Sequence, residues 1–92
     1  MKISYDPRKR EATLEERSLD FADAGTLFAG RTYTRQDLRQ NYGEARFQTI
    51  GFLSDRMVMV VWTPRGDARH IISMRKCNER EQATYRQQLG EG

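Results

Sequence analysis

Three β-favouring segments stand almost end to end in the second half of this 92-residue chain, at about residues 45–53, 57–63 and 68–74. Ser54-Asp55-Arg56 joins the first two. Thr63-Pro64-Arg65-Gly66-Asp67 joins the second pair, with proline and glycine placed to reverse the chain. Connections this short leave no room for the crossover that a parallel pair needs, so the sequence predicts an antiparallel meander.

The first half supplies the elements around it. Lys2-Ile3-Ser4-Tyr5 alternates polar and apolar and predicts a short strand. Asp6-Pro7 reads as a helix start, because aspartate caps free N–H groups and proline suits the first helical position. That helix runs to about Arg17 and has few apolar residues (Ala12, Leu14), so it is expected on the surface. Asp20 is a second cap, followed by Phe21, Ala24, Leu27 and Phe28 on one stripe, with Gly30 expected to end the helix in a left-handed turn. Arg31 to Thr34 resembles an edge strand, and Asp37 to Glu44, with Asn41-Tyr42-Gly43, a loop. Asn78-Glu79-Arg80-Glu81 has the pattern of a capping box opening a last helix to about Leu89, with a weak stripe of Ala83, Tyr85 and Leu89. Leu89 to Gly92 is expected to fray.

The predicted fold is α+β in one domain over residues 1–92. It has a small antiparallel sheet of about four or five strands, two N-terminal helices and one C-terminal helix, all segregated against that sheet.

Charge narrows the function classes. The net charge is +3, from thirteen arginines and three lysines against thirteen acids. Residues 1–44 balance, with eight cations and eight anions. Residues 45–92 carry eight cations and five anions, so the excess lies in the meander half, which favours a polyanionic target. Cys77 is the only cysteine, which excludes an internal disulfide. With no signal-peptide pattern, it points to a reducing cytoplasm. Cys77 is expected to be a small filler at a strand-to-helix junction. Met57 to Trp62, the longest apolar run, is too short to span a membrane.

Common catalytic constellations are missing. One histidine excludes a two-histidine acid–base pair; there is no Cys/His cluster, glycine-rich phosphate loop or nucleophile elbow. No metal or cofactor is expected. What remains is Arg69-His70-Ile71-Ile72-Ser73-Met74-Arg75-Lys76. In a regular strand Arg69, Ile71, Ser73 and Arg75 share one face, and His70, Ile72 and Met74 the other. The first face then presents two guanidiniums with a hydroxyl between them and Lys76 beyond. That arrangement suits phosphates, the carboxylates of an acidic partner, or simply water.

Arg46, Trp62, Thr63, Arg65 and Tyr85 are expected to join it as a cationic groove for single-stranded nucleic acid. Met57 and Met59 read as core, and Trp62 as either core or base-stacking platform. Such a groove can cleave RNA without metal: the 2′-hydroxyl attacks the adjacent phosphorus while arginines stabilise charge on the phosphoryl oxygens. His70 has the intrinsic pKa of a general base but is expected to face away from Arg69 and Arg75. Glu44 and Tyr85 are the other proton-transfer candidates.

The chain resembles the BrnT ribonuclease toxins of bacterial type II toxin–antitoxin systems, whose fold is similar to the RelE toxins. The resemblance rests on Tyr5-Asp6-Pro7-x-Lys9, Glu16-Arg17-Ser18-Leu19-Asp20-Phe21-Ala22-Asp23-Ala24, Tyr42-Gly43-Glu44-x-Arg46 and Thr49-Ile50-Gly51. It continues through Val60-Val61-Trp62-Thr63-Pro64-Arg65-Gly66, Arg69-x-Ile71-Ile72-Ser73-x-Arg75-Lys76 and Glu79-Arg80-Glu81. It implies a cytoplasmic, metal-independent endoribonuclease that inhibits translation. It also implies a BrnA-like antitoxin that carries the DNA-binding domain, and a heterotetramer of two toxins and two antitoxins. Carried onto this chain, it points to Arg46, Arg69, Ser73, Arg75, Lys76 and Tyr85 as catalytic; the groove reading adds Trp62, Thr63 and Arg65 as RNA contacts. The alternative is a binding module whose basic face docks an acidic antitoxin or nucleic acid without turnover. The chain departs from the family pattern at Thr13, at Glu16-Arg17-Ser18 in place of a Lys-His-Gly, and at His70, where another basic residue is usual.

Overall fold

A computed structural model describes residues 2–90. The chain runs through β1 (Lys2–Tyr5), α1 (Pro7–Arg17), a 3-10 turn (Phe21–Asp23), α2 (Ala24–Ala29), β2 (Tyr33–Gln36), β3 (Phe47–Leu53), β4 (Arg56–Arg65), β5 (Ala68–Lys76) and α3 (Glu79–Gln88). The strands form one five-stranded sheet in the order β1-β5-β4-β3-β2.

The meander is antiparallel throughout: Ile50 faces Met59 across β3 and β4, and Met59 faces Arg75 across β4 and β5. Ser54 and Asp55, at φ 48° and 65°, make the two-residue connection that matches strand twist. The expected all-antiparallel sheet is corrected at its edge, where β1 pairs with β5 in parallel, Ser4 beside His70. α1 and α2 carry the chain from one edge of the sheet to the other, so the returning meander ends alongside β1 in the same direction.

The helices also do not share one side. Leu19, Phe21, Ala24 and Leu27 pack on Val58, Val60, Trp62, Ile71 and Met74, which defines the first face. Tyr85 and Leu89 of the C-terminal segment pack with Ile50, Met57, Met59 and Cys77 on the second. Two separate apolar clusters hold two helices with modest stripes, α2 through Ala24 and Leu27 and α3 through Tyr85. α1 has no buried residue. It is tied down by Arg10, whose Nε and Nη2 donate to Asp20 at 2.7 and 2.9 Å, and by Arg17, which donates to the Met74 carbonyl at 2.9 Å.

Local chemistry accounts for the element ends. Asp6 accepts from the Arg8 N–H, Asp20 from the Ala22 N–H, and the Asn78/Glu81 capping box is complete. Asp20 caps the 3-10 turn rather than α2 itself. Gly30, at φ −94° and ψ −160°, is extended and not left-handed. The edge strand lies two residues later than expected, at Tyr33–Gln36. Leu89 does not fray: it is 2 % exposed, and Gly90 accepts a hydrogen bond from Arg31 at 2.6 Å. The rest of the predicted frayed tail, residues 91–92, lies outside the described residues.

Candidate nucleic-acid interface

The strand that carries the cationic run is not regular. Val61 pairs with Ser73 and Trp62 with Ile71, so Ile72 is an extra residue that bulges from β5. Each side chain beyond the bulge changes face relative to simple alternation. Arg69 sits opposite Pro64, Ile71 opposite Trp62, Met74 opposite Val60 and Lys76 opposite Val58, all on the first face. His70 sits opposite Thr63, Ser73 opposite Val61 and Arg75 opposite Met59, all on the second. The expected common face of Arg69, Ser73 and Arg75 is therefore split, and His70 joins the side it was expected to avoid.

On the first face, Arg69 packs as an aromatic neighbour. Its guanidinium carbon lies 4.2 Å from the Phe28 ring centre and 5.2 Å from that of Trp62, and its buried Nε has no hydrogen-bond partner. Trp62 is core: it stacks on Phe47 with ring centres 5.0 Å apart, meets Phe28 edge-on, and donates its indole N–H to Thr49 at 2.8 Å. Lys76 is exposed on that face, beyond the core.

The second face gathers the other expected residues and some that the sequence did not single out. Arg46 lies just before β3, in step with Gln48 and Ile50. Its guanidinium stacks 4.0 Å from the Tyr42 ring centre, and its Nε is 3.4 Å from Glu44. Arg65 reaches the same carboxylate at 3.8 Å. Thr63 is buried and donates its hydroxyl to the Ala45 carbonyl at 2.6 Å, which anchors the backbone immediately before Arg46. Arg75 is gripped through both nitrogens by Glu81 at 2.8 Å. Tyr85 is 5 % exposed and packs under Arg35, whose guanidinium lies 5.4 Å from the ring centre.

Arg35 is the main addition. It donates to Gln48 at 2.8 Å and borders a cavity of about 290 Å³ that also takes in Asp37, Arg39 and Gln48. Its signal is Tyr33-x-Arg35 in an edge strand, where period two puts the cation on the same face as the partly buried Tyr33.

Three carboxylates organise these cations. Arg39 draws Asp37 down to about 2, assisted by the Tyr42 hydroxyl. Arg75 and the Asn78 N–H draw Glu81 down to about 2. Glu44 links Arg46 with Arg65. His70 is half-buried, its Nδ1 lies 2.9 Å from Ser4 Oγ, and burial followed by Arg65 lowers its pKa. Burial pushes Cys77 up to about 11, so it is a filler rather than a thiolate. Among the described residues, no three His, Cys, Asp or Glu side chains gather as ligands for a metal ion, and no helix is long and apolar enough to cross a membrane.

The arrangement offers guanidiniums on rigid supports around Gln48, Val61 and Ser73, which lie side by side across β3, β4 and β5. Such a surface binds phosphate oxygens and stabilises charge that develops on them. No curated protein matches the chain. The family profile of the ribonuclease toxin BrnT, of type II toxin–antitoxin systems, matches residues 5–81, from the end of β1 to the carboxylate that holds Arg75. The chain belongs to the BrnT family of ribonuclease toxins.

Proposed function

We propose that this protein is the toxin of a type II toxin–antitoxin pair and that it cleaves RNA on the second face of its sheet, without a metal ion. The attacking group is the RNA's own 2′-hydroxyl, which adds to the adjacent phosphorus. Arg46 and Arg75 stabilise the negative charge that builds on the phosphoryl oxygens, and Ser73 donates a hydrogen bond between them. Arg65 takes a flanking phosphate. Thr63 and Tyr85 act through the structure, Thr63 by fixing the backbone beside Arg46 and Tyr85 by supporting Arg35. Arg69, Lys76 and Trp62 fall outside this set, because they lie on the other face.

The observation that carries this reading is the register of β5, which puts Ser73 and Arg75 on the face that receives Arg35 and Arg46. The wider assignment is a RelE-like, one-domain endoribonuclease of the cytoplasm that inhibits translation. A BrnA-like antitoxin neutralises it in a complex of two toxins and two antitoxins, and contacts DNA on behalf of the pair.

A second reading has its own support. Arg46 and Arg75 already hold carboxylates, from Glu44 and Glu81. The same face therefore suits an acidic antitoxin segment, and a chain that only bound such a segment would need no turnover. Inducing the gene alone and together with its neighbour separates the two. The toxin reading predicts growth arrest and RNA loss from the lone gene, relief by Arg75→Ala, and relief by the neighbouring gene. Harmless expression, with a captured partner and intact RNA, supports the binding module instead.

A further inference from the structure

The bulge at Ile72 changes what the chain's only histidine can do. Without the extra residue His70 would lie across the sheet from Arg75; with it, His70, Ser73 and Arg75 follow one another along the same face of β5. Thr63 is the residue directly opposite His70 on β4, and its hydroxyl holds the Ala45 carbonyl next to Arg46. Neighbouring strands lie ~4.8 Å apart, so His70 and the Arg46 backbone are separated by roughly two strand spacings, ~10 Å. A phosphate bound between Arg46 and Arg75 therefore lies on the same side of the sheet as the imidazole rather than behind it.

The imidazole is also oriented. Parallel pairing of β1 places Ser4 beside His70, and Ser4 Oγ lies 2.9 Å from Nδ1. A serine hydroxyl can accept the Nδ1 proton, and that tautomer leaves a lone pair on Nε2, pointing away from Ser4. This is the relation of a base held by a third group.

The charged groups around it come from three elements. Arg65 on β4 and Lys9 on α1 oppose protonation, while Glu44 in the β2–β3 connection and Asp6 at the cap of α1 favour it. Burial adds to the first pair and outweighs the rest, so the ring is neutral near pH 7.

We propose that His70 is the general base of this chain's RNA cleavage, with Ser4 as its positioning residue. The proposal rests on the ribonuclease reading of the second face. Nε2 takes the proton of the 2′-hydroxyl as the bond from O2′ to phosphorus forms and the bond from phosphorus to O5′ breaks. The departing O5′ takes a proton from water, and the imidazolium gives its own proton to the hydroxide left behind. The products are a 2′,3′-cyclic phosphate and a 5′-hydroxyl end, with no change of oxidation state.

The test is a pH profile of kcat/KM for the purified full chain on a labelled RNA oligonucleotide, with His70→Gln, Ser4→Ala and Arg75→Ala beside the wild type. The wild-type rate should rise with pH through a midpoint below the ordinary histidine value of about 6.5. His70→Gln should lose that limb and fall by roughly 10²–10⁴-fold. It should still bind a fully 2′-deoxy oligonucleotide as the wild type does. Ser4→Ala should shift the midpoint and lower the rate less, and added imidazole should partly restore a fourth variant, His70→Ala.

A His70→Gln protein that keeps the wild-type rate and limb, beside an inactive Arg75→Ala, overturns the assignment and leaves the ribonuclease reading intact. Wild-type protein that leaves RNA whole overturns both. If His70→Gln does not fold, the wild-type profile decides alone, since a flat acid limb contradicts a histidine base.

Discussion

Glu81 grips Arg75 through two hydrogen bonds of 2.8 Å and closes the capping box of α3 with the same carboxylate, which also accepts the Asn78 N–H at 2.9 Å. One side chain thus fixes a helix start, docks that helix on the second face and holds a cation of the candidate site. Arg75 in turn draws Glu81 down to about 2.

A lowered folded-state pKa has a defined consequence for stability. The contribution of Glu81 is complete above the ordinary carboxylate range, near 4.3, and is lost as pH falls from there toward 2. Glu81→Gln keeps a cap acceptor but not the ion pair, which is partly exposed and screened, so it should cost about 1 kcal/mol at pH 7. Urea melts should show that gap closing as the buffer is lowered to about pH 2.5. A gap independent of pH contradicts the assignment.

The split of β5 by its bulge predicts opposite outcomes for two arginines six residues apart in sequence. Arg75→Ala should lower RNA cleavage by about 10²–10³-fold, as the loss of a preorganised charge donor does. Arg69→Leu, on the first face among Phe28 and Trp62, should leave cleavage unchanged. Equal losses in the two variants, each confirmed as folded by circular dichroism, contradict the split.

Gly51 is required by close approach. A β-carbon there would come within 2.8 Å of Leu27 Cγ and 3.2 Å of Thr32 Cγ2. Gly51→Ala should destabilise the protein by about 1–3 kcal/mol, the usual cost of overpacking, read from the urea midpoint at unchanged slope. An unchanged midpoint means that α2 does not rest on β3 as described.

Cys77 is buried, with its pKa pushed up to about 11. Iodoacetamide at about pH 8 should leave it unmodified in the folded protein and alkylate it fully in urea, as mass spectrometry can follow. Rapid modification of the native chain contradicts its place in the core.

Much of this architecture was legible in the residues. Asp6-Pro7, Asp20 and Asn78 signal element starts because their side chains satisfy free N–H groups. The turns at Ser54-Asp55 and Gly66-Asp67 fix the meander, because two or three residues can only reverse the chain. What was not legible depends on tertiary choices. The parallel pairing of Lys2–Tyr5 is long-range and leaves no local mark. The placement of α3 on the second face follows from Tyr85 and Leu89 finding Ile50, Met57 and Met59, a second apolar cluster that period-two alternation in β3 and β4 permits but does not assign to a helix. The bulge is hidden because Ile71-Ile72 reads as regular strand, and that one residue decides which cations and hydroxyls share a face. Arg35 escapes a sequence reading because an edge strand at residues 31–34 ends before it, whereas β2 runs Tyr33–Gln36.

End-group analysis of RNA cut in excess EDTA, by the wild type and by Arg46→Ala and Arg75→Ala, reads the cleavage chemistry itself. Cleavage on the second face by the RNA's own hydroxyl predicts 2′,3′-cyclic phosphate and 5′-hydroxyl ends that persist in chelator and disappear with either arginine. Intact RNA in EDTA, 5′-phosphate ends, or cutting that survives both substitutions would contradict it.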